Sequence, residues 1–153
     1  MVWYMDWEIK FLDALQGIRT PLGDDVMAFL SDLGNAGIFW IAIGLLLLIP
    51  ERTRMYGVQM LAAMALTFIV GNLILKNVFD RMRPCQVFVD MYNLTVKIPF
   101  DSSFPSGHTM NGITGSVSRL FMDKRVGIPA IILALAIAFS RMYNFMHWPT
   151  DGW

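Results

Sequence analysis

The strongest constraint on the fold is a run of 21 residues without a charge, "MYGVQMLAAMALTFIVGNLIL" at 55–75. A helix needs about 20 mostly apolar residues to cross the hydrocarbon core of a bilayer. A helix also satisfies its backbone hydrogen bonds internally, as a crossing segment must. This run therefore predicts a transmembrane helix and makes the chain an integral membrane protein.

The composition agrees with a membrane protein and excludes several other classes. Hydrophobic residues make up 56% of the 153 residues, and charged residues only 16%, whereas soluble domains carry about 25%. The zero net charge gives no electrostatic reason to expect a nucleic-acid partner. Cys85 is the single cysteine, which excludes a disulfide framework and a thiolate metal site. The length indicates one domain, 1–153.

Three further segments have the character of buried or crossing helices. Residues 36–49 carry no charge but number only 14, so we expect this helix to begin earlier, near Phe29. Residues 106–122 form a more polar helix, and 126–146 form the last long apolar segment. The predicted fold class is an all-α integral membrane bundle with four transmembrane helices, or five if residues 20–35, whose placement stays open, also cross.

The N-terminal segment has a different pattern. Ile9, Leu12, Leu15 and Ile18 recur about one helical turn apart in 8–19, which predicts an amphipathic helix lying in the membrane interface.

The charged loops predict the orientation of these helices. "PERTR" at 50–54 and "DKR" at 123–125 are basic, and basic short loops stay in the cytoplasm. The opposite ends of the helices then meet outside and bring the unusual polar residues to one membrane face. Those residues are Lys76, Arg83, Ser106, Arg141 and His147.

The first polar motif is "KNVFDRMRP", residues 76–84. Lys76 and Arg83 are seven residues apart, or two helical turns, which places them on one side of a helix that Pro84 ends. A plainer interpretation is a cationic helix end at the interface, with Asp80 paired to Lys76.

The second motif is "FPSGHTMNG", residues 104–112. Ser106 can start a helix, Gly107 permits a ligand to approach the backbone, and helix N-termini attract anions. His108 would lie in the first turn, directed at the same place. A capping sequence with a bystander histidine is the alternative.

The third motif is "SRMYNFMHWPTD", residues 140–151. Pro149 suits the first position of a new helix, which would place Asp151 within reach of His147. A carboxylate bonded to one imidazole nitrogen leaves the other nitrogen as a nucleophile. The aromatic residues around His147 also suit an interfacial belt, and both interpretations can hold together.

Together the motifs supply three cations, a helix N-terminus, two histidines and one aspartate. Phosphoryl transfer depends on positioning and on preorganised positive charge. One histidine could attack phosphorus while the other protonates the departing oxygen. No acidic cluster suggests bound magnesium or zinc, so we expect no metal and no cofactor, with the cations in the metal's place.

The three motifs, in order and with matching spacing, resemble those of the type 2 phosphatidic acid phosphatase family, which shares its site with vanadium haloperoxidases. The resemblance implies that His147 is the nucleophile that forms a phosphohistidine and that Asp151 orients it. It implies that His108 is the general acid and later helps to activate water. The implied phosphate-binding residues are Lys76, Arg83, Ser106, Gly107 and Arg141. Residues 85–104 would form an external lid or a loop that contacts lipid.

The resemblance also implies a substrate and a location. It favours undecaprenyl pyrophosphate or a glycerolipid phosphate, namely phosphatidylglycerophosphate or phosphatidic acid, at the outer face of a bacterial plasma membrane.

Family members continue from the final aspartate into another transmembrane helix, whereas this chain stops at Trp153. Three explanations stay open: the chain is an artificially shortened form, it is naturally truncated, or a partner helix, such as one from a second copy in a homo-oligomer, completes the fold. A catalytically inactive protein that binds lipid phosphate or a partner is one alternative. The other is a vanadate-dependent haloperoxidase, which the apolar segments disfavour because those enzymes are soluble.

Overall fold

The computed structural model describes residues 1–89 and 99–152, and every regular element in these ranges is helical. The predicted all-α class is therefore confirmed. Residues 90–98, which carry much of the predicted lid, lie outside the described residues. The eight α-helices are α1 (Asp6–Gly17), α2 (Pro21–Leu33), α3 (Ile38–Leu48), α4 (Glu51–Phe68), α5 (Lys76–Phe79), α6 (Pro84–Val87), α7 (Gly107–Met122) and α8 (Lys124–Tyr143).

The centre of the bundle is the pair α7 and α8, which also packs against α2 and α4. Small residues let these helices approach closely, as is common in membrane bundles. A Cβ atom added at Gly127 would lie 2.2 Å from the Cα atom of Leu120, so only glycine fits there. A Cβ atom at Gly112 would lie 3.1 Å from that of Ala134. Glycine thus sets the spacing of the helices that carry the site.

Within the described residues, two helical segments are long and apolar enough to cross a membrane, Glu51–Val87 and Lys124–Tyr143. A third span results if Pro21–Leu33 and Asn35–Leu48, which are bent by 41°, count as one broken crossing. The fourth predicted crossing is α7, whose 16 residues fall short of the about 20 that span the hydrocarbon core. The predicted count of four to five is therefore higher than the count by length and composition.

The expectation that α3 begins near Phe29 was wrong, because the helix breaks between Gly34 and Ile38. Ala36 and Gly37 adopt left-handed backbone conformations with φ of 52° and 70°, which an α-helix does not accommodate. The residues before the break form α2, whose placement the sequence left open. This bend brings Ser31 at the end of α2 to the site described below.

The helix that carries Lys76 also ends earlier than predicted. A π-helical turn, Ile69–Leu75, leads into α5, which stops at Phe79 because Asp80 has a φ of 40°. Arg83 is instead the residue before α6, with Pro84 at that helix's first position. Lys76 and Arg83 therefore do not share one helix, although the turn returns Arg83 to the same cavity. Asp80 does not pair with Lys76; its carboxylate lies 3.7 Å from the N-terminal amine.

The predicted N-terminal amphipathic helix is present as α1. Leu12 and Leu15 are buried together with Met146 and Trp148, which follow α8. Ile18 lies beyond the helix and is 65% exposed. The buried face of α1 thus packs on the segment that carries His147.

Candidate active site

A cavity of about 470 Å³ opens where α2, α5, α7 and the end of α8 meet. Six of the eight predicted site residues line it, and the other two, Ser106 and Asp151, lie behind its wall. The six lining residues are Lys76, Arg83, Gly107, His108, Arg141 and His147. Residues from three separated motifs therefore converge on one volume.

His147 lies between a carboxylate and a guanidinium. Its Nδ1 is 3.2 Å from Asp151 Oδ2, and its Nε2 is 2.8 Å from Arg83 Nη1. A guanidinium can only donate and a carboxylate accepts, so Nδ1 carries the hydrogen and Nε2 carries the lone pair. The lone pair is the part of the ring that can attack an electrophile.

The environment of His147 also keeps the ring neutral. Burial lowers its pKa to about 3, with the positive charge of Arg83 acting in the same direction, and the hydrogen bond to Asp151 only partly opposes both effects. At neutral pH the imidazole therefore holds its Nε2 lone pair without competition from a proton.

This lowered pKa predicts how stability changes with pH. In the unfolded chain His147 takes up a proton below its ordinary pKa of 6.5, whereas the folded chain does not until about pH 3. Unfolding is thus favoured as pH falls, and the wild type should lose roughly 1–2 kcal/mol relative to His147→Gln between about pH 7 and pH 5. Thermal unfolding of both proteins in one detergent measures this. His108 is present in both proteins, so its contribution to the pH dependence cancels. A difference in unfolding free energy between the two proteins that does not change with pH would contradict the lowered pKa of His147.

Asp151 is held by more donors than the sequence suggested. The carboxylate is buried in the 3₁₀ turn Pro149–Gly152. Besides His147, Oδ2 accepts from the Trp148 amide at 2.8 Å and from the Ser103 hydroxyl, and Oδ1 accepts from Arg81 Nη1 at 2.6 Å. Burial raises the pKa of Asp151, but these hydrogen bonds and the nearby positive charge outweigh it, and the pKa lies below its usual value. The group is therefore a fixed anion.

Arg83 is the best-anchored cation of the cavity. It is 3% exposed, and its guanidinium donates to Asp101, to the carbonyl of Met146 at 3.0 Å and to His147. Asp101 also pairs with Lys76. Burial raises the pKa of the Asp101 carboxyl, but the hydrogen bond from Lys76 and the two positive charges hold it below the usual value. Asp101 thus links two of the predicted phosphate-binding residues.

The end of α2 orders the other side of the cavity. Arg141 Nη1 donates to the hydroxyl of Ser31 at 2.5 Å, and His108 Nε2 lies 3.1 Å from the Ser31 carbonyl oxygen. A carbonyl only accepts, so His108 carries a hydrogen on Nε2 and Nδ1 is its other titratable atom. Among residues 1–89 and 99–152, nothing accepts from the buried Nε–H of Arg141. An anion in the cavity could accept it.

The N-terminus of α7 borders the same cavity through Gly107 and His108. Ser106 caps this helix, and its hydroxyl accepts from the Thr109 amide at 3.4 Å. The Ser106 amide donates to the Asp151 carbonyl at 2.9 Å. Ser106 therefore joins the helix start to the Asp151 turn, and of the two residues only Gly107 lines this cavity.

Five residues of this site were missed by the sequence reasoning: Glu8, Ser31, Arg81, Asp101 and Ser103. Arg81 offered a signal as a second arginine within "DRMRP". Glu8 offered another, because it is four and seven residues before Leu12 and Leu15 and thus on their helix face. Ser31, Asp101 and Ser103 carried no signal, since each reaches the site through the path of a loop or a helix bend.

No metal site is evident in the part of the chain that the structure describes, where no three His, Cys, Asp or Glu side chains converge closely enough to hold an ion.

Comparison with known families gives a match to the PAP2 superfamily over residues 56–152. Undecaprenyl-diphosphatase of Sulfolobus acidocaldarius is 36% identical over 132 residues, which cover 84% of this chain and 63% of that protein. Undecaprenyl-diphosphatase BcrC of Bacillus subtilis is 28% identical over 150 residues, or 96% of this chain and 75% of that protein. The chain thus spans less than two thirds of the first relative's length.

Two solved structures are similar in fold. A transmembrane PAP2 type phosphatidylglycerolphosphate phosphatase from Bacillus subtilis has a TM-score of 0.74 at 25% identity and covers 97% of this chain and 79% of its own. LpxE of Aquifex aeolicus has a TM-score of 0.83 at 21% identity and covers 97% of this chain and 87% of its own. The similarity to LpxE concerns the fold alone.

Proposed function

Because this chain belongs to the PAP2 superfamily, we propose that it is a membrane lipid phosphatase that hydrolyses undecaprenyl diphosphate through a phosphohistidine, without a metal ion. The names of the two relatives support this substrate. A glycerolipid phosphate is the second candidate substrate, favoured by the fold shared with a phosphatidylglycerolphosphate phosphatase.

The observation that carries the proposal is the geometry of His147. Its Nδ1 hydrogen is directed to the Asp151 carboxylate and its Nε2 lone pair lies beside the Arg83 guanidinium at the cavity. A nucleophilic imidazole needs a fixed tautomer and a neutral ring. The hydrogen bond to Asp151 fixes the tautomer, and burial together with the charge of Arg83 keeps the ring neutral. In the structure this lone pair accepts a hydrogen bond from Arg83 Nη1, so an incoming phosphoryl oxygen would have to take over that guanidinium hydrogen and leave the lone pair facing phosphorus.

In the first step, Nε2 of His147 attacks the terminal phosphorus, and a new N–P bond replaces the P–O bond to the lipid phosphate. For this step His108 must be doubly protonated: Nε2–H stays on the Ser31 carbonyl, and the departing oxygen takes the proton from Nδ1, which leaves His108 neutral. Asp151 stabilises the positive charge that develops on the His147 ring.

In the second step, water attacks the phosphohistidine while Nδ1 of His108 accepts a proton from it. The N–P bond breaks, inorganic phosphate leaves, and His147 returns to its neutral form. His108 therefore starts the next cycle with the proton that it donated in the first step.

Positive charge in the cavity takes the part that a metal ion plays in other phosphatases. Arg83 and Arg141 offer planar donors, Lys76 offers a point charge, and the start of α7 offers amide groups. Charge on the three equatorial oxygens is thereby met by preorganised donors, which stabilise the transition state. An incoming phosphate would replace Asp101 as the acceptor of hydrogen bonds from Lys76 and Arg83.

The proposed location is a bacterial plasma membrane, with the cavity at its outer face. The basic segments 50–54 and 123–125, which include the first turns of α4 and α8, lie at the opposite ends of these helices from the site residues. This placement supports the orientation under the positive-inside rule. Many exposed apolar side chains on these two helices, such as Leu66 and Leu135, would contact lipid.

The function is tested by phosphate release from three lipids presented in detergent micelles: undecaprenyl diphosphate, phosphatidylglycerophosphate and phosphatidic acid. We expect release that is fastest with undecaprenyl diphosphate and unchanged by millimolar EDTA, since protein cations supply the charge. Loss of activity in EDTA, restored by magnesium or zinc, would refute the metal-independent chemistry. No release from any of the three lipids by the folded protein would refute the phosphatase assignment and favour a lipid-phosphate-binding role.

A further inference from the structure

Arg81 is a buried charge that the catalytic steps do not use. Its side chain is 0% exposed, and its guanidinium lies over the Trp3 ring at 3.9 Å and the Trp148 ring at 5.3 Å. One edge of the guanidinium donates from Nη1 to Asp151 Oδ1 at 2.6 Å. Such burial is costly unless the charge is fully paired, so its partners must hold it firmly.

The second partner of Arg81 comes from α1. Glu8, whose side chain is also 0% exposed, accepts from Arg81 Nη2 at 2.9 Å. It also accepts from the Thr150 hydroxyl at 2.6 Å and the Met5 amide at 2.9 Å. The Thr150 hydroxyl in turn accepts from Arg81 Nη1 at 2.8 Å. Glu8 and Arg81 therefore hold Thr150 in position, and Arg81 also binds Asp151 directly.

We propose that Arg81 and Glu8 are positioning residues, which hold the Asp151 carboxylate in the one orientation that keeps the His147 hydrogen on Nδ1. This inference rests on the proposed function of His147 as nucleophile. Asp151 uses its two oxygens differently: Oδ1 accepts from Arg81, and Oδ2 accepts from His147, Ser103 and the Trp148 amide. Arg81 thus fixes the plane of the carboxylate relative to the imidazole, and Glu8 fixes Arg81.

Without this support the carboxylate could rotate about its Cβ–Cγ bond. Rotation would weaken the bond to Nδ1 and let the imidazole hydrogen move to Nε2, where it would block attack on phosphorus. Neither Arg81 nor Glu8 lines the cavity, so their loss should lower the rate of the chemical step and leave substrate binding unchanged.

The kinetic test compares Arg81→Met and Glu8→Gln with the wild type. We expect kcat for phosphate release to fall roughly 10–100-fold, the range typical of outer-shell partners, with KM within about twofold. Arg52→Met and Glu51→Gln, exposed at the start of α4, are the matched controls and should match the wild type. Unchanged kcat in Arg81→Met and Glu8→Gln would overturn the proposal. If Arg81→Met does not fold, the kcat of Glu8→Gln alone tests the proposal, and an unchanged value would overturn it.

A second measurement reports on positioning without requiring turnover. The chain has two histidines, so ¹⁵N-histidine labelling of a His108→Gln background leaves only His147 visible by NMR. We expect ¹⁵N shifts of the Nδ1–H tautomer in that background, and mixed shifts from both tautomers once Arg81→Met or Glu8→Gln is added. Unmixed Nδ1–H shifts in both variants would overturn the proposal. If no lipid is hydrolysed but the tautomers mix, the positioning role stands and the phosphatase assignment fails.

Discussion

His147→Gln is expected to reduce phosphate release from undecaprenyl diphosphate by about 10⁴-fold or more. The glutamine amide fills much of the same space but has no lone pair that can form a stable bond to phosphorus. Losses of this size are typical when the nucleophile of a covalent mechanism is removed. Single-turnover phosphate release under saturating lipid measures the chemical step directly.

The same variant offers a chemical control. Wild-type protein quenched during turnover of substrate labelled with ³²P at its terminal phosphate should carry phosphate on His147, in a bond that alkali preserves and acid cleaves. His147→Gln should carry none, while remaining folded by thermal unfolding at pH 7. Residual activity above about one tenth of wild type, or an alkali-labile phosphoprotein, would exclude His147 as the nucleophile.

Asp151→Asn is expected to lower kcat by roughly 10⁴-fold, the effect of the equivalent change at the histidine-orienting aspartate of a serine protease. Oδ2 accepts from three donors and Oδ1 from Arg81, so an amide group cannot satisfy both sides. With its NH₂ toward Arg81, two donors face each other. With its NH₂ toward His147, the imidazole must accept at Nδ1 and its hydrogen moves to Nε2.

Asp80→Asn is the matched control for this change, because the Asp80 side chain is 84% exposed and lies at a left-handed turn that asparagine tolerates. We expect its kcat to equal that of the wild type. An Asp151→Asn protein with more than about one tenth of wild-type kcat would show that the carboxylate does not orient His147. Both variants are measured with the same lipid micelles as the wild type.

Much of the fold could be predicted from the sequence because the features that indicate each helix lie within the helix itself. An uncharged run as long as a membrane span predicted α4, although α4 begins at Glu51 and ends at Phe68, and the helix start at Ser106 gave α7 to within one residue. The errors fell where single residues turn the chain. Left-handed backbone conformations at Ala36 and Asp80 end helices that we predicted to be longer. Alanine gives no sign of such a conformation, and aspartate, although it adopts it more often than most residues, is common in helices and loops alike.

The candidate site shows the same contrast between features at short sequence spacing and contacts between distant residues. Each of the three motifs holds its predicted site residues at short spacing, and the structure places six of the eight at the cavity. The residues that hold those groups in position come from elsewhere in the chain. Ser103 bonds Asp151 across 48 residues, and Ser31 bonds Arg141 across 110. Spacing along a sequence carries no information on contacts formed at such separations.

The position of Glu8 has a consequence for where the functional unit begins. The match to the PAP2 superfamily starts at residue 56, yet Glu8 on α1 neutralises a buried arginine that holds the Asp151 carboxylate. A fragment cut at the family boundary would keep all three motifs and leave that arginine partly unpaired, at a cost of several kcal/mol. Two co-expressed pieces, 1–50 and 51–153, should instead reassemble through this contact. The contacts that hold the Asp151 carboxylate therefore include Glu8 of α1, which lies outside the matched residues 56–152.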